Sequence, residues 1–255
     1  MPFSINSNIG SLVATANIEK TVRSAERSIA RLSRGLRIHS AADDAAGLSI
    51  SEKMRAKIRS LEQAQRNAND GISFANTAEG GLREISSILI RMRELAVQSS
   101  NGIHGATERT ALNNEFEALK QEVERISEVT EFNGKETLAG ANTTYSFQVG
   151  ANTTASDTID ILVIDMGKAS GGLALSNLSV TTIAVSETAI GLLDTAIASA
   201  SAQRGAFGTA VNRLTSAVAN LSDSIQAQSA AESQIRECWS KPRRNMESIS
   251  QKASS

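Results

Sequence analysis

Aromatic residues are scarce. The 255-residue chain holds six Phe, one Tyr and one Trp, too few for a thick globular core, and its apolar mass of Ala, Leu, Ile and Val suits narrow seams between helices. Proline is scarcer still. With Pro2 and Pro242 the only two, no position between them must interrupt a helix by losing its backbone donor. A single cysteine, Cys238, excludes an internal disulfide. Charge of one sign is missing as well: 26 basic and 27 acidic residues, mixed along the chain, leave no electrostatic footprint for nucleic acid or for a membrane surface. No run of membrane-span length stands out. The opening MPFSINSNIGSLVATANIEK has no basic start, no continuous apolar core and no small-residue cleavage site, so export is expected without a cleaved signal peptide.

Chemistry-bearing constellations are absent too. His39 and His104 lie far apart in loop-like segments, with no second nitrogen or thiolate at a metal-ligand spacing. Asp43 and Asp44 are adjacent, and adjacent helical residues point about 100° apart, so they suit helix capping and not the flanking of one bond. No phosphate loop, nucleophile elbow or HExxH motif occurs. No catalytic residue, cofactor site or metal site is therefore expected, and an enzyme is not.

What the chain does have is helical periodicity. An apolar stripe runs Ile5, Ile9, Leu12, Ala16, then Val22, Ala25, Ile29, Leu32 and Leu36, in steps of three and four except across Glu19. This reads as a seam seeking a partner helix. Arg34-Gly35 supplies a helix stop, and Ser40 with Asp43 reads as the capping box of a second helix. That helix extends to about Gln98 and closes on Leu82, Ile85, Leu89, Met92 and Ala96. Asn69-Asp70-Gly71 is a hairpin signal in isolation, but its flanks repeat at three and four, so it reads as helical, and Gly71, Gly80 and Gly81 hint at close packing or bending. A shorter helix beginning near Thr107 folds back antiparallel. Asn133-Gly134 opens a turn-rich stretch, and the alternation of Tyr145, Phe147 and Val149 with Ile159, Ile161 and Val163 predicts a small β-hairpin. Residues 166–186 read as loop, and a last long helix from about Ser186 carries Phe207, Val211, Leu214, Val218, Leu221 and Ile225. The fold class is mainly α: a long antiparallel helical, coiled-coil-like bundle with a small β-hairpin region.

The stretch GLRIHSAADDAAGLSISEKMRAKIRSLEQAQRNANDGISFANTAEGGLREISSILIRMRELAVQSSNG, from Gly35 to Gly102, resembles bacterial flagellin. The similarity continues through the EFNG turn at Glu131 to Gly134, through SFQVGAN at Ser146 to Asn152, and through QRGAFGTAVNRL at Gln203 to Leu214. The resemblance implies a structural subunit that leaves the cell through the flagellar export channel and self-assembles into the extracellular filament used for motility. Its partners are then copies of itself, the export apparatus and an export chaperone. Residues 1–34 would form an inner-tube helix whose seam is Ile5, Ile9, Leu12, Val22, Ile29 and Leu32. Residues 35–44 would form a spoke, and 45–236 a rod-like bundle with its hairpin near 145–164. Arg91, Leu95 and Glu115 match the residues by which detected flagellins meet a vertebrate Toll-like receptor, on a face that also serves contacts between protofilaments. The tail 237–255 departs from the family: after Glu232-Ser233-Gln234-Ile235-Arg236-Glu237, the run CWSKPRRNMESISQKASS stands where a leucine-tipped terminal helix is usual. Two other readings stay open, the related hook-filament junction protein and a secreted flagellin-like module that does not polymerise.

Overall fold

A computed structural model describes residues 9–139, 142–167 and 173–237. Ile5 and the tail from Cys238 on, both singled out above, lie outside them. Four helices dominate: α1 Ile9–Arg34, α2 Ala45–Ser100, α3 Ala106–Val129 and α4 Ile183–Arg236. Strands β1 Glu131–Phe132 and β2 Lys135–Glu136 pair with each other, as do β3 Thr143–Gln148 and β4 Thr158–Val163. The described residues divide into two compact units, one drawn from the chain up to Arg59 and from Ser224 on, the other being Ser60–Asp223.

Local chemistry accounts for the boundaries. Helix α1 stops where expected, with Gly35 in the left-handed region at φ 69°, a conformation glycine adopts without a Cβ penalty. The start of α2 corrects the expected cap. Asp44, not Ser40, caps it: the Asp44 Oδ1 accepts the Gly47 amide at 2.8 Å. The expected capping box is only half formed: the Asp43 carboxylate accepts the Ser40 amide at 3.2 Å, but the Ser40 hydroxyl donates to that same carboxylate and the Asp43 amide goes to the Ser40 carbonyl, closing a separate turn that Arg31 at 2.8 Å and the His39 amide complete. Asn133 and Gly134 both have positive φ, 51° and 70°, the backbone of a two-residue primed turn. The sequence reading saw the turn there but not the β1–β2 hairpin that it closes.

Within Ser60–Asp223 the register of α2 against its neighbours is set by ion pairs and capping bonds. Arg91 meets Glu115 at 2.9 Å and the Arg109 guanidinium donates to the Ser99 carbonyl at 2.9 Å, so α3 returns antiparallel to α2. Arg93 meets Asp194 and Arg204 meets Glu79, so α4 is antiparallel to α2 as well. Their inner faces supply Phe74, Leu82, Ile85, Leu89 and Met92 from α2, Phe116 and Val123 from α3, and Leu193, Phe207 and Leu214 from α4. The β3–β4 hairpin pairs Tyr145 with Ile161 and Phe147 with Ile159, and turns Ile159, Ile161 and Val163 into the same core. One window of α4 has a mean hydropathy of 1.3, enough by length and composition to cross a membrane, which corrects the expectation that no such stretch exists. The same helix places Ala189, Leu193, Ala196, Ala200 and Phe207 in the core.

Gly71, Gly80 and Gly81 of α2 differ physically. A Cβ on Gly71 would sit 3.0 Å from the Phe147 ring and 3.1 Å from Leu214, and one on Gly81 only 2.6 Å from Leu138 and 2.8 Å from Thr130, whereas one on Gly80 meets nothing within 4 Å. Close approach thus explains Gly71 and Gly81 but not Gly80. Gly80→Ala is expected to raise stability by about 1 kcal/mol through helix propensity. Gly81→Ala is expected to lower it, because displacement of Leu138 and Thr130 costs about 1–3 kcal/mol. Urea denaturation of the two variants checks the opposite signs.

Candidate assembly surfaces

Helix α1 has no buried residue. Ile9, Leu12, Val13, Ile18, Val22, Ile29 and Leu32 stand between 49% and 75% exposed, an arrangement that single exposed apolar residues elsewhere on a surface do not produce. Because α1 is one unbroken 26-residue helix, the break in spacing at Glu19 has a geometric consequence. At about 100° per residue, Ile9, Leu12, Val13 and Ala16 share one side, and Ile18, Val22, Ala25, Ile29 and Leu32 share the side roughly 180° away. The single seam expected from sequence is two half-seams facing opposite directions. Arg23, Arg27, Arg31 and Arg34 continue the line of the first half-seam, so no one straight partner helix can cover both.

The segment 35–44 is built as a cap. The Arg37 amide donates to the Arg236 carbonyl at 2.7 Å and its guanidinium to the Ile235 carbonyl at 2.9 Å, while Leu36 bridges Glu237. These bonds satisfy carbonyls that the C-terminal turn of α4 leaves open, and Arg236 itself reaches Glu52 at 3.3 Å. Ile38 is buried beside Gly47. The Arg31 guanidinium, then the His39 and Ser40 amides, hold the Asp43 carboxyl down at about 2, from an ordinary 3.8. A depressed carboxyl stabilises the folded segment fully above pH 4 or so, and that contribution is lost as pH falls toward 2. NMR titration of Asp43 is expected to give a midpoint near 2, returning toward the ordinary value in Arg31→Ala.

On the other unit, Arg91 is clamped between Glu115 at 2.9 Å and Glu94 at 3.0 Å, and these carboxylates, Glu115 first, raise its pKa. Arg91 and Glu115 are both about half exposed. Leu95 departs from the expected common face: at 1% exposed it belongs to the core, because it falls three residues after Met92 on the buried side of α2.

A further set of residues escaped the sequence reading. The irregular segment 173–180, within the stretch 166–186 expected as loop, buries Leu173, Leu175, Leu178 and Val180. Three side chains strap it down. The Lys120 ammonium donates to the Leu178 carbonyl at 3.0 Å and pairs with Glu117 at 2.7 Å, Asn113 accepts the Val180 amide at 2.9 Å, and the Ser99 hydroxyl donates to the Val180 carbonyl at 2.6 Å. The signal was available: Lys120 lies four residues after Phe116 and three before Val123, a charged residue on an apolar stripe.

No group of three or more His, Cys, Asp or Glu able to hold a metal occurs among the described residues. Long helices, one of which leaves two apolar half-seams uncovered among the described residues, define a structural protein. The chain belongs to the bacterial flagellin family: the N-terminal helical region of flagellin matches residues 5–143 and the C-terminal helical region matches residues 190–240. It is 42% identical to the flagellin of Halalkalibacterium halodurans over 233 residues, which cover 91% of this chain and 85% of that one. Identity to the Bacillus subtilis flagellin is 40%, covering 91% and 86%. Against Vibrio cholerae flagellin A it reaches 49% over 152 residues, 60% of this chain and 40% of that much longer one. The crystal structure of Bacillus cereus flagellin superposes with a TM-score of 0.54 at 35% identity, covering 61% of this chain and 88% of that one. A putative flagellar hook-associated protein from Vibrio parahaemolyticus, at TM-score 0.63 and 14% identity over 76% of this chain and all of that one, shares the fold alone. As a flagellin, the chain is a structural subunit of the bacterial flagellar filament, outside the cell.

Proposed function

We propose that this chain enters the filament through α1, its two half-seams covered from opposite sides by helices of other copies. The observation that carries this reading is the wholly unburied apolar surface from Ile9 to Leu32. Such a surface is costly in water and favourable once shared. The role is structural and not catalytic. The same surface needs cover before assembly, which supports an export chaperone and the flagellar export apparatus as earlier partners.

Seeding purified protein with filament fragments and imaging by electron microscopy tests this reading. Long filaments are the expected product; persistent monomer would favour the non-polymerising module instead. Arg91 and Glu115 are proposed as the part of the receptor-facing surface that a Toll-like receptor meets directly. Arg91→Ala is expected to weaken receptor signalling at unchanged melting temperature, whereas Leu95→Ala is expected to weaken it only along with stability. Reporter-cell assays paired with thermal melts separate the two.

A further inference from the structure

The chain holds two Asn-Gly pairs, Asn101-Gly102 in the turn between α2 and α3 and Asn133-Gly134 in the turn between β1 and β2. In such a pair the second main-chain nitrogen can reach the asparagine side-chain amide, because glycine carries no Cβ to block the approach. The fold treats the two pairs in opposite ways.

Asn133 is held at φ 51° in a tight turn flanked by the paired Phe132 and Lys135. Closing a five-membered ring between its Cγ and the Gly134 nitrogen requires the backbone to rotate out of that turn, against the pairing on both sides. Asn101 is arranged for the same ring. It is exposed, and its Oδ1 accepts the Ile103 amide at 3.3 Å, an Asx-turn whose hydrogen-bonded ring contains both the Asn101 Cγ and the Gly102 nitrogen. A Cβ on Gly102 would meet nothing within 4 Å, so the approach is open. The main-chain carbonyl of Asn101 accepts the Arg109 guanidinium at 2.9 Å and the His104 amide at 3.3 Å.

These donors bear on both reacting groups. Attack on Cγ places negative charge on Oδ1, to which the Ile103 N–H already donates. A cation bonded to the Asn101 carbonyl draws electron density from the nitrogen of the same peptide unit, which makes the Gly102 N–H easier to deprotonate. Arg109 is anchored for this, because its Nε donates to the Ser99 carbonyl at 2.9 Å.

We propose that Asn101 is a self-modifying site, converted to aspartate or isoaspartate through a cyclic imide whose formation the α2–α3 turn promotes. Solvent hydroxide takes the Gly102 amide proton, the Gly102 nitrogen bonds to the Asn101 Cγ, and the Cγ–Nδ2 bond breaks as Nδ2 gains a proton from water and leaves as ammonia. Water then adds to one imide carbonyl and breaks its bond to nitrogen. Opening at Cγ gives aspartate, and opening at the main-chain carbonyl gives isoaspartate, with the main chain longer by one carbon. The net change consumes water and releases ammonia, and it places a carboxylate beside Arg109 where a neutral amide stood.

The test incubates the full chain at mildly alkaline pH, folded in buffer and unfolded in guanidinium chloride, and follows both Asn-Gly peptides by mass spectrometry. In the folded chain Asn101 is expected to convert about tenfold faster than Asn133, and at least as fast as it does unfolded, whereas the two pairs convert alike once the fold is lost. Arg109→Gln is expected to slow Asn101 about fivefold in the folded chain, the scale of one charged hydrogen bond, and to change nothing in the unfolded one. If Arg109 only steadies the turn, its removal loosens Asn101 and speeds the conversion. That sign overturns the proposal, and so does an Asn101 slower folded than unfolded or an Asn133 that keeps pace with it. The comparison of folded with unfolded chain needs no variant, so a poorly folding Arg109→Gln leaves the proposal open to refutation.

Discussion

Replacing Leu12 by aspartate, or Ile29 by aspartate, is expected to abolish incorporation into filaments while leaving the monomer intact. Both side chains are well exposed in the subunit, at 65% and 66%, so each substitution removes almost nothing from the folded monomer, about 0.5 kcal/mol or less. Burying each in an interface is worth about 1.5–3 kcal/mol, and aspartate adds the cost of desolvating a charge. Every 1.4 kcal/mol is about a tenfold loss of affinity, and each subunit makes the contact, so the loss multiplies along the polymer. The two sites lie on opposite half-seams, which gives the experiment its edge. A single partner helix could cover only one side of α1 and would leave one of the two variants competent. Seeded sedimentation together with thermal melts reads both quantities, and polymer from either variant would show that one half-seam is idle.

Lys120→Met is expected to lower the stability of the unit Ser60–Asp223 by about 3 kcal/mol, within the range for removing one partner of a buried charged contact. Lys120 is only 5% exposed, and its ammonium serves the Leu178 and Ser176 carbonyls as well as Glu117. Methionine matches the length of the stem but leaves those carbonyls without their donor. The segment 173–180 would then loosen, and with it the burial of Leu173, Leu175, Leu178 and Val180. At about 2–4 °C per kcal/mol for a unit of this size, the melting temperature should drop by roughly 6–12 °C. Faster amide exchange at Val180 than at Phe116 would locate the loss in the strap. An unchanged melting temperature would mean that solvent replaces the ammonium without cost.

Periodicity made the helices legible because helical side chains recur on one face whatever the helix packs against. The stripe Leu82, Ile85, Leu89, Met92 and Ala96 is buried as its spacing requires, and the alternation of Ile159, Ile161 and Val163 marked a half-buried strand in the same way. Asn69-Asp70-Gly71 was read correctly as helix from its flanks. Ser40 and Asp43 have the spacing of a capping box and do bond each other, but they close a turn ahead of α2, whose own cap is Asp44. Leu95 was placed on a surface by likeness of motif, whereas its burial depends on what the fold lays over α2.

The sequence by itself determined a chain of long helices with one β-hairpin, no catalytic constellation and an N-terminal apolar stripe without an evident partner. These follow from residue spacing, which acts locally. Tertiary structure decided the rest. It set which glycines sit under neighbouring side chains, which loop carries aliphatic residues into the core, and how Arg37 closes the end of a helix nearly 200 positions later in the chain. It also brought Phe74, Phe132, Tyr145 and Phe147 around one hollow. Each of these depends on distances between residues remote in sequence, which spacing along the chain does not encode and packing alone establishes.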